Sequence, residues 1–440
     1  MLVSVHKLSV SVLFLLIIGT VSAQSKVWDL EQCIDTALVN NKNLKINKNN
    51  IQINEELNKE VWANYLPKVN FNTDYKYYIE QPTQLVPMSM MGGPEDKFKE
   101  VQMGVPHNFT ANVQLGMPIY NSQISGAVEK TKIASEIARL QYKKTEEQLY
   151  YEISNLYYNA LVMEQQINFI DSNLVNTERL HKNMQLLHSQ LMVKGTDVDK
   201  IALQISQLKT QRDVVKGKHI QVINALKFSM GISPEEPFSI KPEIPYQNGA
   251  EYMLTSTLDM QLIDTQNKLL NSEVLSLKKS RLPSVSLFGS YGLLGYGYDK
   301  KPNEFFDFYN MGVAGIQLSV PLFNGTVTQR KIKQKNLEIE NNKIQRDLIN
   351  KQNAMQIENA RNTKFTASQS INNTTKQIEL SKKVYNQTML QQKEGTASLT
   401  DVLMADNSLR ETQQSYLTAL VDYLKADLEI KKLTGNILNN

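Results

Sequence analysis

The sequence predicts a mainly α-helical protein with a small β part, and it predicts that this plan is written twice. Three observations carry the reading. The 440 residues include 13 prolines, all within 67–118, 234–245 and 283–321, so 119–233 and 322–440 contain none. Proline breaks helix interiors, and proline-free runs of that length read as very long helices. Apolar residues in those runs step by three and four, whereas four short windows alternate with a period of two. Landmarks also recur in order at a nearly constant offset. Leu66-Pro67-Lys68-Val69 returns as Leu282-Pro283-Ser284-Val285, and Met117-Pro118-Ile119-Tyr120-Asn121 as Val320-Pro321-Leu322-Phe323-Asn324. Lys194-Gly195-Thr196 returns as Glu394-Gly395-Thr396, and Met230-Gly231 as Thr434-Gly435. The predicted repeats are 24–249 and 250–440.

The first residues carry Lys7, then a short apolar run over Leu8–Ile18, then Val21-Ser22-Ala23. This is the pattern of a secretory signal peptide, 1–23, cut after Ala23. The run is shorter than the roughly 20 apolar residues of a membrane span. A helix follows over 28–65. Within it Cys33, the single cysteine, reads as a small buried hydrophobe. It permits no intrachain disulfide and no cysteine-based zinc site.

Strands are expected at 67–80, 107–118, 283–294 and 309–321. Val69, Phe71, Thr73, Tyr75 and Tyr77 alternate with Lys68, Asn70, Asn72, Asp74 and Lys76, and Phe109, Ala111, Val113 and Leu115 alternate with Asn108, Thr110, Asn112 and Gln114. One apolar and one polar face, over about 10 residues, suits a tilted strand crossing a bilayer. Two hairpins of a soluble sandwich would show the same alternation. Tyr and Phe gather near the strand ends at 296–309, as in the aromatic girdles of membrane barrels. The linker 81–106 reads as a long irregular loop. Its Met88, Met90 and Met91 could take a soft metal, but a flexible apolar tip is the simpler reading.

Long helices are expected at 123–194 and 326–394, with return helices at 197–230 and 397–433 and a further helix at 250–281. Ile153, Leu156, Ala160, Met163, Ile167, Ile170 and Leu174 form one coiled-coil seam, and Val402, Ala405, Leu409, Thr412, Tyr416, Ala419 and Tyr423 another. Leu417, Leu420, Leu424 and Leu428 add a second stripe, so the last helix needs neighbours on two sides. In each half the two shorter helices, stacked end to end, match the long one, at roughly 105 Å. The proline-rich segment 234–249 would fall where stacked helices meet. Gly195 and Gly395 are expected at the far turns, because glycine readily takes the left-handed conformation that ends a helix.

The charge is nearly balanced, 48 Lys+Arg against 44 Asp+Glu, without the basic excess of a nucleic-acid binder. No phosphate loop, zinc-protease motif or nucleophile elbow occurs. His181 and His188, seven apart, read as solvated surface. No enzyme, cofactor or metal site is indicated.

The repeated plan resembles the TolC family of outer-membrane efflux proteins. Leu-Pro opens the strands, Val320-Pro-Leu-Phe-Asn-Gly325 closes them, and Glu394-Gly-Thr-Ala-Ser-Leu-Thr-Asp-Val-Leu403 forms the hairpin. The resemblance implies a TolC-like homotrimer, each chain giving four strands to one 12-stranded outer-membrane barrel continued by a periplasmic helical coiled-coil tunnel. It implies a passive exit duct in a Gram-negative outer membrane, in contact with lipid. Its partners would be a periplasmic adaptor and an inner-membrane RND or ABC transporter. A duct for type I protein secretion shares every feature, and a non-channel envelope tether is the more distant alternative. The matching positions make Gly195, Thr196, Gly395 and Thr396 the adaptor-docking candidates and Asp401 the gate candidate. Met404 stands where some members carry a second aspartate, and Gln392 and Ala397 where tyrosine and arginine can occur, so the family's tyrosine–arginine gate bonds are not carried over.

Overall fold

A computed structural model describes residues 27–243 and 252–438. The expected signal peptide, 1–23, and part of the 234–249 segment lie outside the described residues. Among the described residues seven helices, here α1 (Leu30–Asn40), α2 (Lys42–Ala63), α3 (Ser122–Ser189), α4 (Gly195–Met230), α5 (Leu258–Lys279), α6 (Val327–Lys393) and α7 (Leu399–Leu433), are joined by eight strands. The strands are β1 (Val27–Trp28), β2 (Lys68–Tyr77), β3 (Thr83–Pro87), β4 (Phe98–Gln102), β5 (His107–Tyr120), β6 (Ser239–Ile240), β7 (Ser284–Tyr298) and β8 (Phe305–Ser319). The chain divides into two compact units. One holds residues up to Lys48, Gln141–Gln261 and Leu348 onward; the other holds Asn49–Leu140 and Leu262–Asp347. Among the described residues no helix is long and apolar enough to cross a membrane.

In the helical unit the seams expected from the heptads are buried or half-buried. Ile153, Tyr157 and Leu161 of α3 pack with Cys33 and Ala37 of α1 and with Leu226 and Met230 of α4. The second stripe of α7 finds its own partners, since Leu417, Leu420 and Leu424 join Val162 of α3 and Ala367 and Ile371 of α6. Val402, Ala405 and Leu409 face a different cluster, with Met184, Ile201 and Tyr385. The helix expected over 28–65 is two helices. Asn41 leaves the helical conformation (ψ 128°), and its Oδ1 accepts from the Asn43 and Leu44 amides at 2.9 and 3.2 Å, capping α2. Its Nδ2 donates to Ser229 O at 2.8 Å. Gly231 (φ 72°) ends α4 so close by that a Cβ there would lie 2.8 Å from Asn40 O. The segment 234–243 contributes β6, which pairs in parallel with β1, and Trp28 stacks on Phe238 at 5.7 Å.

The other unit carries one four-stranded antiparallel sheet in the order β2-β5-β7-β8. Its register places Phe71, Val113, Tyr291 and Gly312 in one cross-strand row, and Asn70, Gln114, Ser290 and Val313 in the next. The first face is apolar and exposed through Val69, Phe71, Val113, Leu115, Ile316 and Leu318. The second hairpin departs from simple alternation. Tyr309, Met311 and Val313 fall on the otherwise polar face, and Tyr296 meets Tyr309 there at 6.1 Å. The expected irregular loop 81–106 is instead a second small sheet: β3 pairs with β4 from Thr83↔Gln102 to Pro87↔Phe98, closed by a 3₁₀ turn over Met88–Met91. Short runs with Pro82, Pro87 and Gly92 hid a pairing that depends on both strands at once.

Large rings in the second hairpin lie over glycines directly across the strand pair. Phe288 faces Gly315, Tyr291 faces Gly312, Phe308 faces Gly295 and Phe306 faces Gly297. Glycine opposite a ring leaves the ring free to cover the backbone, which sheets use to support otherwise weak glycine positions. A Cβ at Gly295 would sit 2.9 Å from Phe308 and 3.1 Å from Phe109, whereas one at Gly116 meets nothing within 4 Å. Gly295→Val should therefore destabilise the sheet by roughly 1–3 kcal/mol through overpacking, and Gly116→Val should be tolerated. Thermal unfolding of the two variants side by side checks this; equal losses would contradict the ring-over-glycine account.

Candidate functional site at the helical hairpin tips

Both long helices end in the same hydrogen-bond pattern. At the first tip the Leu191 amide donates to His188 O and the Met192 amide to Leu187 O, each at 2.9 Å. At the second the Gly395 amide donates to Gln392 O at 3.1 Å and the Thr396 amide to Gln391 O at 2.9 Å. This is the Schellman closure, in which one left-handed residue lets two amides reach back to orphan carbonyls. That residue is Leu191 (φ 61°) at one tip and Gly395 (φ 76°) at the other. They are 204 positions apart, as are the first residues of α4 and α7, Gly195 and Leu399.

Gly195 is thus not the counterpart of Gly395. It is the first residue of α4 and lies outside the left-handed region, with Thr196 following it in the helix. The α3 helix stops at Ser189, so the chain has already reversed when it reaches Gly195. The matching Gly-Thr pairs conceal a four-residue slip. His188, exposed as expected, also holds this turn, its Nδ1 2.9 Å from Val193 O. Since a carbonyl only accepts, Nδ1 carries the proton. At the second tip Thr396 Oγ1 donates to Gln391 O at 3.1 Å.

Asp401 stands in the first turn of α7 in a capping box. Its Oδ2 accepts from the Ser398 amide at 2.8 Å and the Ser398 hydroxyl at 2.7 Å, while its own amide donates to Ser398 Oγ at 3.2 Å. The Ser398 hydroxyl, and then its amide, hold the carboxyl below the usual aspartate range and keep it ionised. The 204-residue register makes Asp197 its counterpart at the first tip. Asp197 pairs with Lys200 at 3.1 Å, and the N-cap Lys194 supplies no side-chain bond.

Behind the tips the seam contains polar groups that the apolar heptad does not reveal. Asp406 is 3% exposed. Its Oδ2 accepts from Gln204 Nε2 at 2.5 Å and from Arg410 at 3.0 Å. Burial pushes this carboxyl up, outweighing Arg410 and Gln204. Burial, then Asp406, also pushes the neighbouring Tyr385 phenol up to about 12. Asn173 donates to Gln413 at 2.9 Å further along. The i,i+4 spacing of Asp406 and Arg410 was legible as a helix pair, but its burial was not. Among the described residues no group of three or more His, Cys, Asp or Glu is placed to hold a metal ion. The tips present shaped backbone and charged helix-capping groups.

Residues 253–436 match the family model described as outer membrane efflux protein, which includes Gly395, Thr396 and Asp401 but not the first tip. In structure the chain is similar to the outer membrane protein VceC of Vibrio cholerae, with a TM-score of 0.73 and 15% identity over 92% of this chain and 96% of VceC. It is similar to the CmeC outer membrane channel of Campylobacter jejuni, with a TM-score of 0.73 and 14% identity over 92% and 85% of the two chains. It is also similar to the open state of the MtrE outer membrane channel of Neisseria gonorrhoeae, with a TM-score of 0.70 and 16% identity over 93% and 89%. No curated protein sequence matches the chain.

Leu191 is 90% exposed in a conformation that costs an L-residue roughly 1–2 kcal/mol. Leu191→Gly should raise stability by about 1 kcal/mol, and Gly395→Leu should lower it by a similar amount. Denaturant unfolding of the two variants measures both; stabilisation at neither tip would mean that the tips do not close this way.

Proposed function

We propose that the chain is the passive outer-membrane exit duct of a tripartite efflux system. The observation that carries the reading is the sheet: four strands, one exposed apolar face, and two free edges at β2 and β8. The apolar face is unfavourable in water, and the open edges are incompatible with lipid unless the sheet closes. Three chains in a homotrimer supply twelve strands, and closure puts the apolar face toward lipid and the Asn70/Gln114/Ser290 row toward the lumen. The long helices then continue the duct on the periplasmic side. An adaptor that meets the tips would read Gly395 and Thr396, and on the first hairpin Leu191 and Met192 ahead of Gly195 and Thr196. An RND or ABC transporter in the inner membrane would drive export. The gate reading extends to both capping positions: Asp401 and Asp197, three copies of each, would ring the tunnel end and attract cations.

Purified trimer in a planar bilayer should give discrete conductance steps. Arg substitution on the lipid face costs roughly 2–4 kcal/mol near the midplane, so Val113→Arg should abolish trimers in the outer membrane while Gln114→Arg assembles. Equal assembly of both would reverse the sheet or remove it from the membrane.

For the gate, Asp401→Asn combined with Asp197→Asn should lower cation selectivity and weaken block by multivalent cations in single-channel records, with the trimer intact. Wild-type selectivity and block in that variant would confine both aspartates to helix capping.

A further inference from the structure

The four junctions between helix and strand meet at one end of the sheet. Lys68 pairs with Gly116, Tyr120 with Val285, and Ser284 with Ser319. Tyr65 Oη donates to Asn121 O at 3.5 Å, and Ser122 Oγ donates to Lys279 O at 2.7 Å. The junctions expose large apolar side chains: Trp62 at 53%, Ile119 at 56%, Leu322 at 92% and Phe323 at 84%. They adjoin the exposed apolar sheet face through Ile316, Leu318 and Val320.

The charge at the same level is one-sided. Segments 61–70, 116–128, 274–284 and 319–337 contain eight Lys or Arg and no Asp or Glu, with Glu60, Glu129, Glu273 and Glu338 standing just outside them, in a chain whose total is only +4. Lys335 is spent on Glu273 and Glu338, at 2.9 and 2.6 Å. Lys279, Arg281, Arg330, Lys331 and Lys333 are exposed. Helix capping accounts for only some of them. Lys278 and Lys279 end α5, where cations suit the dipole, but Arg330 and Lys331 lie in the opening turns of α6, which has no acidic residue in its first turn. Cations at a positive helix end, without carboxylates, call for an anion from outside the chain.

We propose that this collar binds the anionic phospholipid headgroups of the periplasmic leaflet. The chemistry fits one occupant: Trp62, Leu322 and Phe323 enter the acyl boundary, as interfacial aromatic and aliphatic groups do. Arg281, Arg330 and Lys331 meet lipid phosphates just outside it, where each basic residue near a surface contributes roughly 1 kcal/mol of attraction. The inference rests on the membrane reading of the sheet, and it adds the class of lipid that seats the sheet at that depth.

The full-length trimer supplies its own probe. Trp28 is buried at 4% and Trp62 is exposed, so quenching by brominated lipid reports on the collar. In vesicles of zwitterionic phosphatidylcholine mixed with phosphatidylglycerol, bromination of the anionic lipid should quench Trp62 at least about five-fold more effectively per molecule than bromination of the zwitterionic one. Lys279→Gln, Arg281→Gln, Arg330→Gln and Lys331→Gln together should abolish that preference. Arg281→Lys with Arg330→Lys should keep it, which separates charge from misfolding. Inorganic phosphate should not compete. Equal quenching by both lipids, or a preference that survives the fourfold variant, would overturn the proposal. So would the absence of quenching by either lipid, which would mean that a neighbouring chain covers the collar. Conductance measured on the same vesicles tests the duct separately, so an active channel without lipid preference refutes the collar alone.

Discussion

A sheet of four strands with two unpaired edges and an apolar outer face cannot be an end state in water or in lipid. The free edges of β2 and β8 carry backbone donors and acceptors that need partners, and the exposed row through Phe71, Val113 and Tyr291 needs an apolar medium. This constraint orders the rest of the molecule. In the closure proposed above, other copies complete the sheet by pairing with β2 and β8. The strands must also keep one face polar if the closed structure is to carry water. Pro67, Pro118, Pro283 and Pro321, the junction residues and the basic collar all fall where strand gives way to helix.

The helical unit solves a different problem. Helices of 68 and 67 residues offer many registers that satisfy an apolar heptad equally well. Polar groups inside the seam break that degeneracy. Asp406 with Gln204 and Arg410, and Asn173 with Gln413, are satisfied only in one alignment of α3, α4 and α7. A buried ion pair adds little net stability, but removing one partner is costly, so such groups penalise slipped registers more than they favour the correct one. They stand close behind the tips, where a slip would displace any docking surface.

The duplication is accurate in structure and only approximate in sequence. The two tips share one Schellman closure at a constant displacement, yet one closes on Leu191 and the other on Gly395. The second tip also gains the Ser398–Asp401 capping box, which the first lacks. The repeats therefore differ in the closing residue and in the cap, while the backbone path is the same.

Periodicity and punctuation determined most of this architecture. Proline-free heptads defined the long helices, period-two alternation defined the four strands, and the repeated Leu-Pro and Pro-aliphatic-aromatic-Asn landmarks fixed their order; each is a local signal that a few neighbouring residues express. Tertiary structure decided what depends on residues far apart. The break at Asn41 is set by Ser229 and Gly231, and the β3–β4 pairing by two short runs that are weak separately. The glycines of β7 and β8 are explained only by the rings across from them, and the burial of Asp406 only by Gln204 on another helix. The left-handed residue of the first tip was hidden for a related reason: a helix end is located by where its carbonyls lose their partners, and α3 lost them at Leu191, four residues before the glycine that composition favoured.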